Sequence, residues 1–300
     1  MDRADDALAD ERNNILFELY HENSKQRRHD IEFNRRINLL NNNADFHQVM
    51  ARTFKFYPGA AFTPLPAVEP GEGPPFERVV ALRRSIRRFS GASLRLDALA
   101  RLVYFGNGLS GQLDASSHGI VQPVRAAPSG GALYPVEIYA AVMAVEGLEP
   151  GLYHYAVDRH GLEFLRPGRW EGVLSEITFD SATFSRAAVA FILTGMFGRA
   201  HFKYGERGYR FTLLEAGHIC QNILLAATAQ ELGAVAVGGF IDDEMNELLD
   251  LDGVDEAAVY LVAAGHPALR PAPQEEGPGE IVDKLLGELY SRETASEERE

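Results

Sequence analysis

Lys203 and Tyr204 stand side by side, followed by Gly205 and then by a long run that contains no proline. An amine and a phenol can both exchange protons with a substrate once burial or a neighbouring charge has moved their pKa values. In isolation such a pair reads as a surface lysine beside a half-buried tyrosine at a helix entrance. A second group is Arg83-Arg84-Ser85-Ile86-Arg87-Arg88. Guanidinium forks match phosphate oxygens in a bidentate way, and the hydroxyl adds a donor. The competing reading is a basic helix end that complements the dipole and pairs with surface acids. A third is Arg125-Ala126-Ala127-Pro128-Ser129-Gly130-Gly131-Ala132-Leu133-Tyr134-Pro135, just ahead of a predicted strand. Its glycines let backbone amides approach a flat ligand closely. Val237-Gly238-Gly239-Phe240, after another strand, offers the same chance. Either glycine block alone would pass for a plain turn.

Some chemistry is excluded. Gly106-Asn107-Gly108-Leu109-Ser110-Gly111 has the glycine spacing of a dinucleotide fingerprint, but a helix precedes it and no acid follows at the required distance. The chain has neither a phosphate-loop lysine motif nor a Gly-x-Ser-x-Gly elbow, and no histidine pair has zinc spacing. Cys220 is the only cysteine, so no internal disulfide forms, and a reducing cytoplasm is the expected location. A formal net charge of −14 disfavours nucleic acid and anionic membranes as partners. The first residues lack the apolar core of a secretory signal, and no apolar run reaches the length of a membrane span.

The elements that must position these groups follow from periodicity. Within residues 202–233 one long helix is predicted, beginning just after Lys203-Tyr204 and running to Leu232, apolar on nearly every side and therefore buried, with Gly233 as its left-handed stop. Helices are expected over 76–84 and 96–105, with irregular chain over 106–125. Strands are expected at 136–142, 152–157, 162–165, 187–193, 234–237 and 257–264. Asp242 or Asp243 is expected to cap a short helix ending at Leu249. Residues 1–57 read as an N-terminal helical accessory arm and 58–75, rich in Pro and Gly, as a linker without packed secondary structure. Residues 76–290 read as the main domain, closed by an amphipathic helix over 279–290, and 291–300 as a disordered tail. Helices and strands mix without regular alternation, so the fold class is α+β.

Together these stretches resemble the nitroreductase superfamily, and within it the SagB-type branch, the azoline dehydrogenases of thiazole- and oxazole-forming peptide synthetases. Arg83-Arg84-Ser85-Ile86-Arg87 carries the superfamily resemblance. Pro128 to Pro135 with Lys203-Tyr204 carries the branch. Gly151-Leu152-Tyr153-His154-Tyr155, Arg207-Gly208-Tyr209-Arg210, Glu215-Ala216-Gly217-His218 with Gln221-Asn222, Gly265-His266-Pro267 and Tyr20 to Lys25 extend it over roughly residues 15–270. Gly130 stands where the wider superfamily often has Ala, and Glu215 where Asp can occur.

The resemblance implies an antiparallel-based sheet wrapped by helices, with a long central helix, and a homodimer with FMN at the subunit interface. It implies that Arg83, Ser85 and Arg87 hold the FMN phosphate, with Arg270 a weaker candidate. Pro128, Ser129 and Gly130 would lie along the flavin ring, with Gly238 and Gly239 approaching it and Arg125 as a further contact. Lys203 and Tyr204 match the catalytic pair. The implied reaction removes two hydrogens from a thiazoline or oxazoline in a precursor peptide: a proton from Cα and a hydride from Cβ, with dioxygen as the final acceptor. Tyr204 is the preferred base, with Lys203 either lowering its pKa through charge or acting as the base itself while neutral. Base catalysis of this kind contributes about 100- to 10,000-fold. A cyclodehydratase complex is the implied further partner. The alternatives are a NAD(P)H-dependent nitro- or quinone-reductase on the same fold, which does not need Lys203-Tyr204, and a non-catalytic flavoprotein subunit of a synthetase.

Overall fold

The strand Val136–Val142 (β4) is buried along its whole length, and its side chains alternate between two separate cores. Val136, Ile138, Ala140 and Val142 enter one core, while Tyr139 and Ala141 enter the other. That period of two is what a sheet covered on both faces requires. The structure is a computed structural model that describes residues 16–51, 54–69, 71, 73–114 and 119–268. These fall in one compact unit; Arg270, the helix expected over 279–290 and the tail expected over 291–300 lie outside the described residues.

The sheet has seven strands. Besides β4 these are Ala61–Pro64 (β1), Gly151–Ala156 (β5), Gly161–Pro167 (β6), Val189–Met196 (β7), Gly233–Val237 (β8) and Glu256–Gly265 (β9), with Leu109–Asp114 (β2) and Val121–Arg125 (β3) forming a separate hairpin. The order is β1-β6-β5-β4-β7-β9-β8, and each neighbouring pair is antiparallel. One face carries the helices Leu96–Asn107 and Arg207–Ala229. The other carries Glu171–Ile177, Ser181–Phe184 and Asp242–Leu249. The class is α+β, as expected. Ile223 of the long helix is fully buried in the first core, worth about 1.5–3 kcal/mol for one such side chain.

The structure departs from the expected elements at several points. The long helix is Arg207–Ala229, and Lys203 and Tyr204 precede it as expected, but on a separate helix, Phe197–Tyr204, that ends at Gly205. Gly205 has φ 57° and ψ −145°, a conformation open to glycine and closed to most other residues. Gly208 then lies so close to the first helix that a Cβ there would stand 2.6 Å from the Ala200 carbonyl carbon. The left-handed stop is Glu231, with φ 57°, and Gly233 already belongs to β8. The 109–125 stretch is a hairpin rather than irregular chain. Ala61–Pro64, within the segment read as a linker, is the edge strand of the sheet, and Leu65 after it is buried in the core. The Asp242–Leu249 helix starts without a side-chain cap, its acids lying in the first turn instead.

Candidate functional site

The block between β3 and β4 is a strained turn. Gly131, Ala132 and Tyr134 all have positive φ, at 65°, 52° and 47°. Two of the three are not glycine, and such conformations cost of order 1–3 kcal/mol each unless the surroundings impose them. The surroundings are visible. The Ser129 hydroxyl accepts from Tyr134 N at 2.9 Å, the Tyr134 hydroxyl accepts from Arg125 N at 3.0 Å, and Gln122 Nε2 donates to Ala132 O at 2.9 Å. Arg199, on the helix Phe197–Tyr204, donates to Tyr134 O at 2.9 Å and to Glu137 at 2.6 Å.

That helix delivers Lys203 and Tyr204 to the turn. A Cβ placed on Gly131 would lie 2.5 Å from Tyr204 Oη and 3.1 Å from Lys203 Nζ. Both polar atoms therefore converge on a patch of backbone that only glycine leaves bare. A Cβ on Gly130 would meet the Phe211 ring at 3.4 Å, and Phe211 stands edge-on to Tyr204 with centroids 4.8 Å apart. Lys203 is buried although it carries an amine, and Phe46 covers it, with Nζ 5.7 Å from the ring centroid. Burial pushes the Lys203 ammonium below its usual range and the Tyr204 phenol above its own. Both residues are thus biased to their neutral forms.

Beneath the turn lie two buried groups of opposite charge. Among the described residues Arg125 Nε and Nη1 have no hydrogen-bond partner, and its guanidinium lies 4.7 Å from the Tyr134 ring. Glu215 accepts from Val136 N at 3.4 Å and from the Ser129 hydroxyl, while its Oε2 is unpartnered. Burial raises the Glu215 carboxyl to about 7. Glu137 behaves oppositely. Burial would raise it, but its hydrogen bond to His154 and the charge of Arg199 hold it at about 2.

The arginine segment lies elsewhere, against the start of β8. Ser85 bridges Ala234, and Ile86 N donates to Ala234 O at 3.0 Å. Arg84 folds back onto the carbonyls of Ala81 and Arg83, each at 2.8 Å, and so does what a basic helix end does. Arg83 and Arg87 form no ion pair among the described residues. Ser85 and Arg87 are exposed, and Arg83 is half-buried. Gly238 and Gly239 are exposed at the far end of β8, with Gly238 against Tyr260. Among the described residues, then, one chain gathers two groups: Arg125, Pro128, Ser129, Gly130, Lys203 and Tyr204 at the turn, and Arg83, Ser85 and Arg87 beside β8. No direct contact joins the two groups. Phe46, Phe211 and Arg199 were not identified from sequence, because an aromatic or an arginine in a helix ordinarily packs or pairs.

The nitroreductase family profile matches residues 80–266. A nitroreductase-like protein of Methanocaldococcus jannaschii is 31% identical over 175 residues, covering 58% of this chain and 84% of that one. The microcin B17-processing protein McbC of Escherichia coli is 31% identical over 133 residues, covering 43% of this chain and 49% of McbC. The chain thus spans about half the length of that relative. Among solved structures, the E. coli microcin synthetase McbBCD complex with truncated pro-MccB17 bound shares the fold, with a TM-score of 0.51 and 23% identity over 74% of this chain and 80% of that one. The profile covers well over half of the residues, including the arginine segment, the strained turn and the Lys203-Tyr204 pair, and the chain belongs to the nitroreductase family.

Proposed function

We propose that this chain is an FMN-dependent dehydrogenase that oxidises thiazolines or oxazolines in a precursor peptide to the aromatic azoles. It acts as a homodimer and works alongside a cyclodehydratase. The observation that carries this reading is the convergence of Lys203 Nζ and Tyr204 Oη on the bare backbone of Gly131. The likeness to a microcin-processing protein supports it.

The residues fit FMN. Arg83 and Arg87 have no acid partner among the described residues and would meet its phosphate together with Ser85. Arg125 offers unpartnered donors from a buried position beside the turn. Gly130 and Gly131 leave room along a flat ring, and Pro128, Ser129, Gly238 and Gly239 would complete the surface. When bound, FMN supplies the two-electron acceptor for the hydride that leaves azoline Cβ.

The other hydrogen falls to the protein. Burial disfavours the Lys203 ammonium and so enlarges the neutral fraction, in which Nζ takes the Cα proton. Tyr204 is held protonated, so its O–H donates to the substrate. Of the two bases the sequence leaves open, Tyr204 and neutral Lys203, the burial of both groups supports Lys203. Tyr204, fixed edge-on by Phe211, then orients the ring and shields Nζ from water.

The test is incubation of purified protein and FMN with a thiazoline-bearing peptide in air. Loss of two hydrogens by mass spectrometry is expected. Bleaching of the flavin by NADPH without azoline oxidation would favour the nitro- or quinone-reductase instead. Bound flavin with neither activity would favour a non-catalytic subunit.

A further inference from the structure

The N-terminal helices Leu16–Asn23, Ile31–Asn41 and Ala44–Met50 reach the catalytic pair from outside the sheet. Ser24, buried at 2% exposure, is the latch. Its hydroxyl accepts from Arg210 Nε at 2.8 Å, and its carbonyl accepts from Arg207 Nη1 at 3.1 Å. Arg210 also donates to His21 O at 2.7 Å, and Tyr20 packs edge-on against Tyr209 at 5.5 Å. The latch therefore grips the first turn of the helix that begins three residues after Tyr204. Further along, Phe46 stacks on Phe202 with centroids 6.0 Å apart and covers Lys203.

Beside the latch is a cavity of about 210 Å³ whose lining includes Asn23, Gln26, Asp30, Arg36, Tyr204 and Arg207. It holds roughly seven waters' worth of space at about 30 Å³ each. That is below the roughly 300–1,000 Å³ of sites for drug-sized ligands, so a flavin does not fit and a short stretch of peptide does. Its walls carry three cations, Lys25, Arg36 and Arg207, against three anions, Asp30, Glu32 and Glu206, so it does not select by net charge. Two side-chain amides and two guanidinium groups give it both donors and acceptors, which suits the N–H and C=O groups of an extended backbone. Tyr204 is a wall of this cavity and, at its hydroxyl, also a neighbour of Gly131. A residue seated here is thereby next to the reacting ring.

We infer that this cavity is a substrate subsite, in which the peptide residues flanking the azoline are held by Gln26 and Arg36, and that the N-terminal helices form the substrate wall of the site. The inference rests on the azoline-dehydrogenase reading above.

The test compares Gln26→Ala and Arg36→Ala with the wild type, each loaded with FMN, on two substrates. One is an extended peptide bearing a central thiazoline. The other is an N-acetyl thiazoline amide with no flanking residues. The ratio of kcat/KM for the long over the short substrate is expected to fall roughly 3- to 10-fold in each variant, the loss of one hydrogen bond. Equal flavin absorbance verifies folding, and a variant that fails it leaves the other to decide. A ratio equal to that of the wild type in both variants overturns the subsite while leaving the dehydrogenase in place. Wild-type protein that oxidises neither substrate overturns the dehydrogenase reading, and binding of the fluorescein-labelled thiazoline peptide, read by anisotropy, then decides the subsite. The same weakening in the variants supports it, and equal binding overturns it.

Discussion

Arg125 and Glu215, a base and an acid, are both buried and adjacent to the same strained turn, yet no ion pair joins them among the described residues. Two such groups would gain from pairing, and each instead keeps polar atoms unsatisfied. The turn is therefore built on groups held ready for something else, which agrees with a bound flavin drawing on Arg125.

This has a consequence for stability. The Glu215 carboxyl is raised from 4.5 to about 7 by burial. Between those values the folded protein keeps a proton that the unfolded chain has released, so stability falls as pH rises through that window. The loss by pH 8 is about 3 kcal/mol at most, from about 1.4 kcal/mol per unit. Glu215→Gln cannot ionise. Its Tm relative to the wild type should therefore be higher at pH 8 than at pH 5. A difference in Tm that does not change with pH would contradict the burial argument.

Gly131→Ala should damage activity far more than folding. Its φ of 65° is strained for alanine, at a cost of order 1 kcal/mol. The new methyl would collide with Tyr204 Oη and Lys203 Nζ and push both from their places. Because displacement of about 1 Å can cost about 100-fold in rate, azoline oxidation should drop by at least tenfold while Tm falls by only a few degrees. Full activity would mean that the convergence on Gly131 is not the reacting geometry.

Much of this was legible in the sequence. Val189–Met196 and Glu256–Gly265 announce themselves as buried strands because covered strands are apolar on both faces. The lysine, tyrosine and glycines were legible as chemistry because their types and spacing are unusual together. Geometry that depends on contacts between distant residues was not. Nothing local says that Phe46 will cover Lys203, or that Ala61–Pro64, after a run of turn residues, will pair with Gly161–Phe164. The separate helix Phe197–Tyr204 was hidden, because the sequence places Lys203-Tyr204 only ahead of the long helix; the close approach of Gly208 to Ala200 shows how tightly the two helices meet.

With Lys203 as the proposed base, its amine should set the pH dependence. Its depressed pKa means that the active neutral amine accumulates as pH rises through that value, so the acid limb of kcat/KM should report it. Lys203→Ala should abolish that limb and nearly all turnover. Tyr204→Phe should lower the rate but keep the limb, since the base remains. If the limb disappears with Tyr204→Phe and persists in Lys203→Ala, the roles are reversed. Both variants should keep their flavin, because neither residue is assigned to holding it.

Arg83 and Arg84 should differ in flavin affinity although they are neighbours. Arg83→Ala removes a guanidinium that no acid neutralises among the described residues. A lost charge-assisted contact of about 2–3 kcal/mol predicts an FMN Kd raised roughly 30- to 150-fold. Arg84 is occupied with the carbonyls of Ala81 and Arg83, so Arg84→Ala should change the Kd by less than about threefold, within the range of exposed substitutions. Equal losses would place the phosphate on the whole segment rather than on Arg83.

The long helix leads to the last expectation. Its sequence reads as apolar all round, yet Tyr209, Leu213 and Leu214 are 42%, 40% and 58% exposed, and Phe202 on the preceding helix is 60% exposed. Positions 209 and 213 are four apart and so lie on one helical face, beside Leu214. Among the described residues Tyr20 and Phe197 touch Tyr209 but Leu213 and Leu214 stay exposed, while Gly130, Gly131 and the Lys203-Tyr204 pair sit close to that face through Phe211. A second copy would cover the face and complete the wall of the flavin site. The protein should therefore be a homodimer by light scattering at micromolar concentration, with a buried area above about 2,000 Å², the range of obligate pairs. Leu214→Glu should place a charge in that interface, and both the dimer and FMN retention should be lost together. A wild-type monomer that holds FMN would refute the shared site, as would a monomeric Leu214→Glu variant that keeps its flavin at full occupancy.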